Sequence, residues 1–154
     1  MAKPTGTKVI VENRRARYDY ELLERLEAGI VLTGTEVKSL REGRVTLAQA
    51  YADVRELEVW LIGAEIAQYG HGNIANHEPT RDRKLLLKRG EIASLVGKVR
   101  EKGQTIVPTR LYFKDGKVKV ELALARGKER GDKRRDIADR DAKRQMERAL
   151  KSRR

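Results

Sequence analysis

Two histidines, His71 and His77, stand six residues apart in a stretch rich in glycine and asparagine, and the chain has no cysteine. Zinc or nucleophilic chemistry needs converging His, Cys, Asp or Glu groups, and two histidines in one loop fall short of that set. The plainer reading is a pair of loop histidines that face solvent or touch RNA. Gly34, Gly70 and Gly72 match neither the phosphate-binding loop nor the dinucleotide fingerprint. The carboxylates mostly alternate with lysine and arginine, which is the pattern of solvated pairing and not of a general acid and base. No enzyme, cofactor or metal site is expected. A different chemistry is written in ENRRARY, where Asn13, Arg14, Arg15, Arg17 and Tyr18 crowd together. Guanidinium forks grip phosphate, and a flat ring stacks on an unpaired base. The same run also fits a basic strand end facing water, and composition weighs the two equally.

The charge balance favours a polyanion as partner. Lysine and arginine number 35 against 23 acidic residues, a net charge of +12. Residues 126–154 hold thirteen basic and six acidic side chains, or +7, with only Ile137, Met146 and Leu150 as large apolar residues. Such a segment buries too little apolar surface to offset its ordering entropy, so it is either a solvating tail or a part that folds on a partner. The preceding residues keep +5, and a basic body with a more basic tail is an electrostatic footprint for nucleic acid. Binding to an anionic membrane needs a basic helix with a wide aromatic-bearing apolar face, or a lipidation signal; neither is in the sequence. The first fifteen residues contain no apolar run longer than Val9, Ile10 and Val11, so no signal peptide and a cytoplasmic location are expected. The absence of cysteine suits a reducing compartment.

The elements that must carry these residues read mainly as strands. From Tyr18 to Gly34, Leu22, Leu26 and Ile30 fit a helix face, but Tyr20, Leu22, Leu26, Ala28, Ile30 and Leu32 alternate over thirteen residues. A strand is preferred, with Gly29 at a bend such as a barrel corner needs. GTEVKSLREG predicts a short helix capped by Thr35 and stopped by Gly43. Residues 49–66 predict two strands broken at Arg55 and Glu56, followed by a loop from Gly70 to Pro79. Ile92, Leu95, Val96 and Val99 predict a second helix ended by Gly103, with Lys88, Arg89, Lys98, Arg100 and Lys102 on its exposed side. Residues 105–126 predict a hairpin: Val107, Leu111 and Phe113 alternate before an Asp115–Gly116 turn, and Val118, Val120, Leu122 and Leu124 after it. Its outer face carries Arg110, Tyr112, Lys117 and Lys119, with Tyr112 a stacking candidate, whereas Trp60 and Phe113 read as core. The fold expected is mostly β: a small closed antiparallel barrel of the OB type with a few flanking helices and a basic C-terminal tail disordered in isolation. The expected divisions are a flexible N-terminus over 1–8, the barrel over 9–126 and the tail over 127–154.

ENRRAR (12–17), EAGIVLTGTEVKSLREG (27–43), PTRDRKLLL (79–87), LYFKDGKVKVELALARGK (111–128) and DKR (132–134), in this order and spacing, resemble the SsrA-binding protein (SmpB) family. The resemblance covers most of the chain from Val9 onward. It implies a protein without catalytic activity that binds the tRNA-like domain of transfer-messenger RNA (tmRNA) and stands in for the missing anticodon arm. The implied setting is trans-translation, the rescue of ribosomes stalled on messages lacking a stop codon, with peptide tagging for proteolysis. The implied partners of the monomer are tmRNA, the ribosome at its decoding centre and mRNA path, and elongation factor Tu within the tmRNA complex. Carried over by motif, the RNA-binding residues are Asn13, Arg14, Arg15, Arg17, Tyr18, Glu27, Leu86 and Lys119. Glu27 does not follow from electrostatics; it accepts hydrogen bonds from a base edge, holds a neighbouring arginine, or simply pairs with Arg25 or another Arg.

The resemblance also implies a tail that becomes helical in the empty mRNA path, with Gly127, Asp132, Lys133, Arg134, Arg140, Lys143 and Arg144 interacting with the ribosome. Asp136 with Arg140, Asp139 with Lys143 and Glu147 with Lys151 are acid-before-base pairs at four-residue spacing, each worth about 0.2–0.5 kcal/mol in an isolated helix. Two residues depart from the family pattern: Gly131 and Tyr18 each stand where histidine is common.

Overall fold

The structure is a computed structural model and describes residues 6–70, 76–127 and 140–149. The period-two segments pair edge to edge. β8 (Thr105–Lys114) and β9 (Lys117–Gly127) form the expected hairpin, and Asp115 and Gly116 both take the positive φ that a primed two-residue turn requires. β9 then pairs with β2 (Tyr20–Ile30), β2 with β7 (Arg83–Leu86), β7 with β5 (Glu58–Ile62), and β5 with β4 (Tyr51–Arg55). β4 returns to β8 at Ala52 and Ile106, so these antiparallel strands close into a ring, and β1 (Thr7–Glu12) takes the rest of that β8 edge. β3 (Val45–Thr46) and β6 (Glu65–Ile66) form a separate short ribbon. Around the ring lie α1 (Arg14–Asp19), α2 (Gly34–Arg41) and α3 (Arg89–Lys102), and a further helix covers 140–149 with every residue exposed. No helix among the described residues is long and apolar enough to cross a membrane.

The mostly β, closed antiparallel architecture expected from the sequence is present, with β1 beginning at Thr7. β7 is a strand that the sequence reading missed, as are β1 and the two-residue β3. The β7 leucines, Leu85 and Leu86, run on to Leu87 without alternation, which period alone does not assign, yet β7 bridges β5 and β2 and completes the ring. The interior is filled by side chains such as Val59, Leu61, Leu85, Val120, Leu122 and Leu124, all but excluded from solvent. Each contributes roughly 1.5–3 kcal/mol by burial.

Two bulges decide which face each residue occupies. β2 slips register between Leu22 and Glu24, and β8 between Pro108 and Arg110, and a one-residue slip exchanges the two faces of a strand. Beyond the slips, Leu26 and Ala28 of β2 and Leu111 of β8 face the main core; before them, Tyr20, Leu22 and Val107 face outward. The outward set packs with Ala125 and with Ala16 of α1 in a second small core. Val107 therefore does not share a face with Leu111 and Phe113 as its spacing predicts, and Ile106 takes the inward place. Gly29 is no corner: its ladder continues to Lys119 on one side and Leu86 on the other. A Cβ there would lie 3.3 Å from that of Leu86, so glycine lets Leu86 lie across β2.

α2 closes one end of the ring. Its N-cap is Thr33, not Thr35: the Thr33 hydroxyl accepts from the Glu36 N–H at 3.4 Å while Glu36 Oε1 accepts from the Thr33 N–H at 2.8 Å, a reciprocal capping box. Gly43, with φ +71°, lies just past the helix end as expected. Glu36 also receives Arg83 Nε at 2.6 Å and Arg81 Nη2 at 2.5 Å, and Glu36 and Arg83 are both fully buried. Arg83 spends its other donors on the carbonyls of Ala64, Arg81 and Pro79. Burial pushes the Glu36 carboxyl up, but the bonds from Arg81, Thr33 and Arg83 outweigh it and hold the group below the usual range. His77 belongs to the same end: it is buried, with Nδ1 bonded to Thr35 Oγ1 and Nε2 donating to the Ile66 carbonyl, each at 2.9 Å. It is thus a structural histidine and not the solvent- or RNA-facing group that its loop suggested. His71 lies outside the described residues.

Candidate nucleic-acid interface

Asn13 starts the interface by folding, not by reaching outward. It is 5% exposed; its Oδ1 caps α1 by accepting the Ala16 N–H at 3.1 Å, and its Nδ2 donates to the carbonyls of Leu47 and Pro108 at 3.1 and 2.9 Å. These bonds engage its side chain within the fold. After Glu12, which ends β1, NRRARY is not a strand end but a cap and a one-and-a-half-turn helix. Asn13 and Ala16 anchor it, and Arg14, Arg15, Arg17 and Tyr18 are left exposed. Arg15 pairs with Asp19 at 3.3 Å.

The same outer surface continues along the sheet. Ala125 beneath α1 faces outward on β9, so Ala123, Glu121 and Lys119 do too, a run of roughly 20 Å at strand rise. The register places Arg25, Glu27 and Gly29 of β2 beside Ala123, Glu121 and Lys119, and Arg110 and Tyr112 of β8 beside Glu121 and Lys119. One chain of contacts fixes them. Glu121 accepts from Arg25 at 3.2 Å and Arg110 at 2.5 Å, the Arg110 guanidinium lies 4.9 Å from the Tyr112 ring centre, and the Tyr112 hydroxyl donates to Glu27 at 2.5 Å. Lys114 Nζ completes it at 3.2 Å from Glu27. At the far end Lys119, Gly29 and Leu86 stand side by side across three strands, with Leu86 52% exposed.

Glu27 therefore pairs with Tyr112 and Lys114 and not with Arg25, whose partner is Glu121. The Tyr112 hydroxyl, and behind it Lys114 and Lys119, hold the Glu27 carboxyl below the usual range against a smaller opposing effect of burial. Burial first, and then Glu27, push the Tyr112 phenol well above its ordinary value. Tyr112 is 4% exposed, so it is a buried hydrogen-bond donor to Glu27 and not the stacking platform its position suggested. Phe113 packs on the core as expected, but Trp60 is half-buried on the outer face, opposite Asp53 and Lys84. Lys114 and the Glu36, Arg81 and Arg83 cluster were missing from the sequence reading.

Arg14, Arg15 and Arg17 at one end and Lys114 and Lys119 at the other make a face on which cations are held at fixed spacing and flanked by flat or aliphatic groups at Tyr18 and Leu86. Such a face binds a folded polyanion through phosphate contacts and leaves apolar footholds for unstacked bases. Among the described residues no three His, Asp or Glu side chains converge as a metal site would require.

The model of the SmpB protein family matches residues 10–152. The chain belongs to the SmpB family. Among similar proteins, the SsrA-binding protein of Thermobifida fusca is 57% identical over 152 residues, 99% of this chain and 95% of its own. That of Nocardia farcinica is 59% identical over 148 residues, 96% of this chain and 92% of its own. A solved structure described as "tmRNA-SmpB: a journey to the center of the bacterial ribosome" matches with a TM-score of 0.66 and 50% identity, over 82% of this chain and 93% of that one. SmpB membership gives the motif stretches a structural meaning: GTEVKSLREG and PTRDRKLLL meet at the Glu36, Arg81 and Arg83 cluster, and EAG meets LYFKDGKVKV at the contact of Glu27 with Tyr112, Lys114 and Lys119. Of the tail residues, Gly127 ends β9 opposite Tyr20, and Arg140, Lys143 and Arg144 are exposed on the helix over 140–149. Asp132, Lys133, Arg134 and Gly131 lie outside the described residues.

Proposed function

We propose that this chain binds tmRNA at its tRNA-like domain and acts with it on stalled ribosomes in trans-translation, standing in for the anticodon arm. The observation that carries this reading is the continuous outer face from α1 to Leu86, on which the motif residues of an RNA-binding family lie together. Arg14, Arg15, Arg17 and Lys119 grip phosphate, Tyr18 and Leu86 support unstacked bases, and Glu27, fixed in its ionised form, accepts from a base edge. Asn13 contributes by presenting α1. The protein acts as a monomer by binding and not by catalysis, with elongation factor Tu joining the RNA and not this face. The body over 9–126 supplies RNA affinity; the tail over 127–154, through Gly127, Asp132, Lys133, Arg134, Arg140, Lys143 and Arg144, acts on the ribosome. Titration of the full chain against tmRNA and against a tRNA of similar size, near physiological salt, tests this. Preference for tmRNA by tenfold or more, about 1.4 kcal/mol, is expected, and equal weak binding of both refutes it.

A further inference from the structure

Two clusters in this fold set a pair of arginines on one glutamate, and they differ in what the arginines do with their other nitrogens. At Glu36, Arg83 also donates to the carbonyls of Ala64, Arg81 and Pro79, and Arg81 to those of Val31 and Asp82. That cluster is closed. At Glu121, Oε1 accepts from Arg25 Nη1 at 3.2 Å and Oε2 from Arg110 Nε at 2.5 Å, and among the described residues neither guanidinium makes another hydrogen bond. Both carboxylate oxygens are taken, while Arg25 keeps Nε and Nη2, and Arg110 both of its Nη groups, as donors for something else.

These donors face outward in a fixed direction. The Glu121 side chain is 12% exposed, against 53% for Arg25 and 36% for Arg110, so the anion lies beneath the two cations. Arg110 is held twice, through Nε by Glu121 and by its guanidinium 4.9 Å from the ring centre of Tyr112, which is itself buried against Glu27. A guanidinium fixed at one edge and on one face presents its remaining nitrogens as the fork that a phosphate accepts. Measured from Glu121 at strand rise, the pair lies roughly 13 Å from Ala125 beneath α1 and roughly 7 Å from Lys119. Around it Arg25, Arg110, Lys114 and Lys119 outnumber Glu27 and Glu121 four to two, which favours an anion.

We infer that Arg25 and Arg110 clamp one backbone phosphate of the bound RNA, between the α1 arginines and Lys119, and that Glu121 is the positioning residue of this clamp. The inference rests on the RNA-binding reading of the same face and adds a contact that its motifs do not supply, since Arg25 and Arg110 both stand outside the stretches that mark the family. Its distinctive consequence concerns Glu121. A carboxylate repels RNA, so in a diffuse basic face its removal tightens binding. In a clamp its removal loosens binding, because two arginines set by the fold must then be ordered by the ligand.

The test titrates the full chain with tmRNA, and with a tRNA of similar size, over a series of salt concentrations. The double variant Arg25→Gln, Arg110→Gln keeps amides that can donate to Glu121, so the fold is retained. It is expected to weaken tmRNA binding about tenfold, as loss of charge-assisted bonds does, and to lower the salt slope by about one, as loss of one phosphate does. Glu121→Ala leaves both guanidiniums free to turn to water and is expected to weaken tmRNA about threefold or more despite the added positive charge. A Glu121→Ala protein that binds as tightly as the parent or tighter, or a double variant with affinity and slope unchanged, overturns the inference while the parent's preference for tmRNA stands. A slope lowered by about two assigns the arginines to separate phosphates and overturns the clamp. Loss of the preference for tmRNA at unchanged slope assigns them to a base edge and overturns it as well. A parent that binds both RNAs equally weakly removes the RNA reading, and this inference with it.

Discussion

Removal of the Glu36 carboxylate should be among the most damaging single changes this fold can suffer. In Glu36→Ala, Arg83 stays fully buried with its carbonyl partners but without its anion, and breaking one side of such a pair costs about 3–5 kcal/mol. The capping box loses its return bond to the Thr33 N–H, which adds about 1 kcal/mol. Arg81 adds less, because its side chain is 29% exposed and turns to water. The sum, about 4–6 kcal/mol, is a large part of the 5–15 kcal/mol available to a typical domain. Urea unfolding followed by the emission of Trp60, the chain's one tryptophan, measures it. A Glu36→Met, Arg83→Met double variant removes both charges and fills the space with apolar atoms, so it should recover at least half of the loss. The carboxyl is held below its usual range, so its contribution is complete above the unfolded value near pH 4.3 and is lost as pH falls toward the folded value. Glu36→Gln, which keeps the shape, should lack that acid-dependent part. A Glu36→Ala protein within about 1 kcal/mol of the parent, or a double variant less stable than it, would refute the reasoning.

Other residues separate in the same way. Asn13→Ala loses the cap of α1 and strands two carbonyls, an expected cost of about 2–3 kcal/mol in urea unfolding, with RNA affinity falling only as α1 frays. Arg14→Ala, on the exposed side of the same helix, should leave stability within about 0.5 kcal/mol yet lower the salt slope of RNA binding by about one. Tyr112→Phe should raise the Glu27 pKa toward the ordinary carboxylate value in an NMR titration, because the largest effect lowering it is the Tyr112 hydroxyl; no upward movement would show that the lysines hold it alone. Deleting residues 131–154 should leave tmRNA affinity within a few-fold while abolishing peptide tagging on stalled ribosomes, and loss of RNA binding on truncation would contradict the proposed division between body and tail.

What was legible in the sequence was local. The β8–β9 hairpin declares itself through an Asp-Gly turn between alternating runs, and α3 through four apolar residues at helical spacing, because both signals lie within one element. Register between distant strands has no such signal. The slips at Leu23 and Thr109 invert the faces around them, so Val107 reads as core of the ring when it packs under α1. Tyr112 keeps the outer face that its alternation predicts, but its burial against Glu27, 85 residues away in sequence, has no local signal. The same separation hides the pair of Glu36 with Arg83, 47 residues apart. Thr33 and Thr35 are both able to cap α2, and only the geometry of Glu36 decides between them.

The motif letters that mark this family are therefore of two physical kinds. Asn13, Glu36, Arg81, Arg83 and Tyr112 spend their polar atoms on the protein itself, whereas Arg14, Arg17, Lys119 and Leu86 stand at the surface in the places those bonds prepare. Glu27 belongs to both, since its oxygens are engaged by Tyr112 and Lys114 while its side chain stays more than a third exposed. A polar residue inside an RNA-binding motif is thus poor evidence of RNA contact until its hydrogen bonds are accounted for. The two kinds respond oppositely to perturbation. A phosphate contact changes affinity and its dependence on salt while leaving the unfolding midpoint in place. A buried polar anchor moves the midpoint first, and affinity only as far as the cations it holds are displaced.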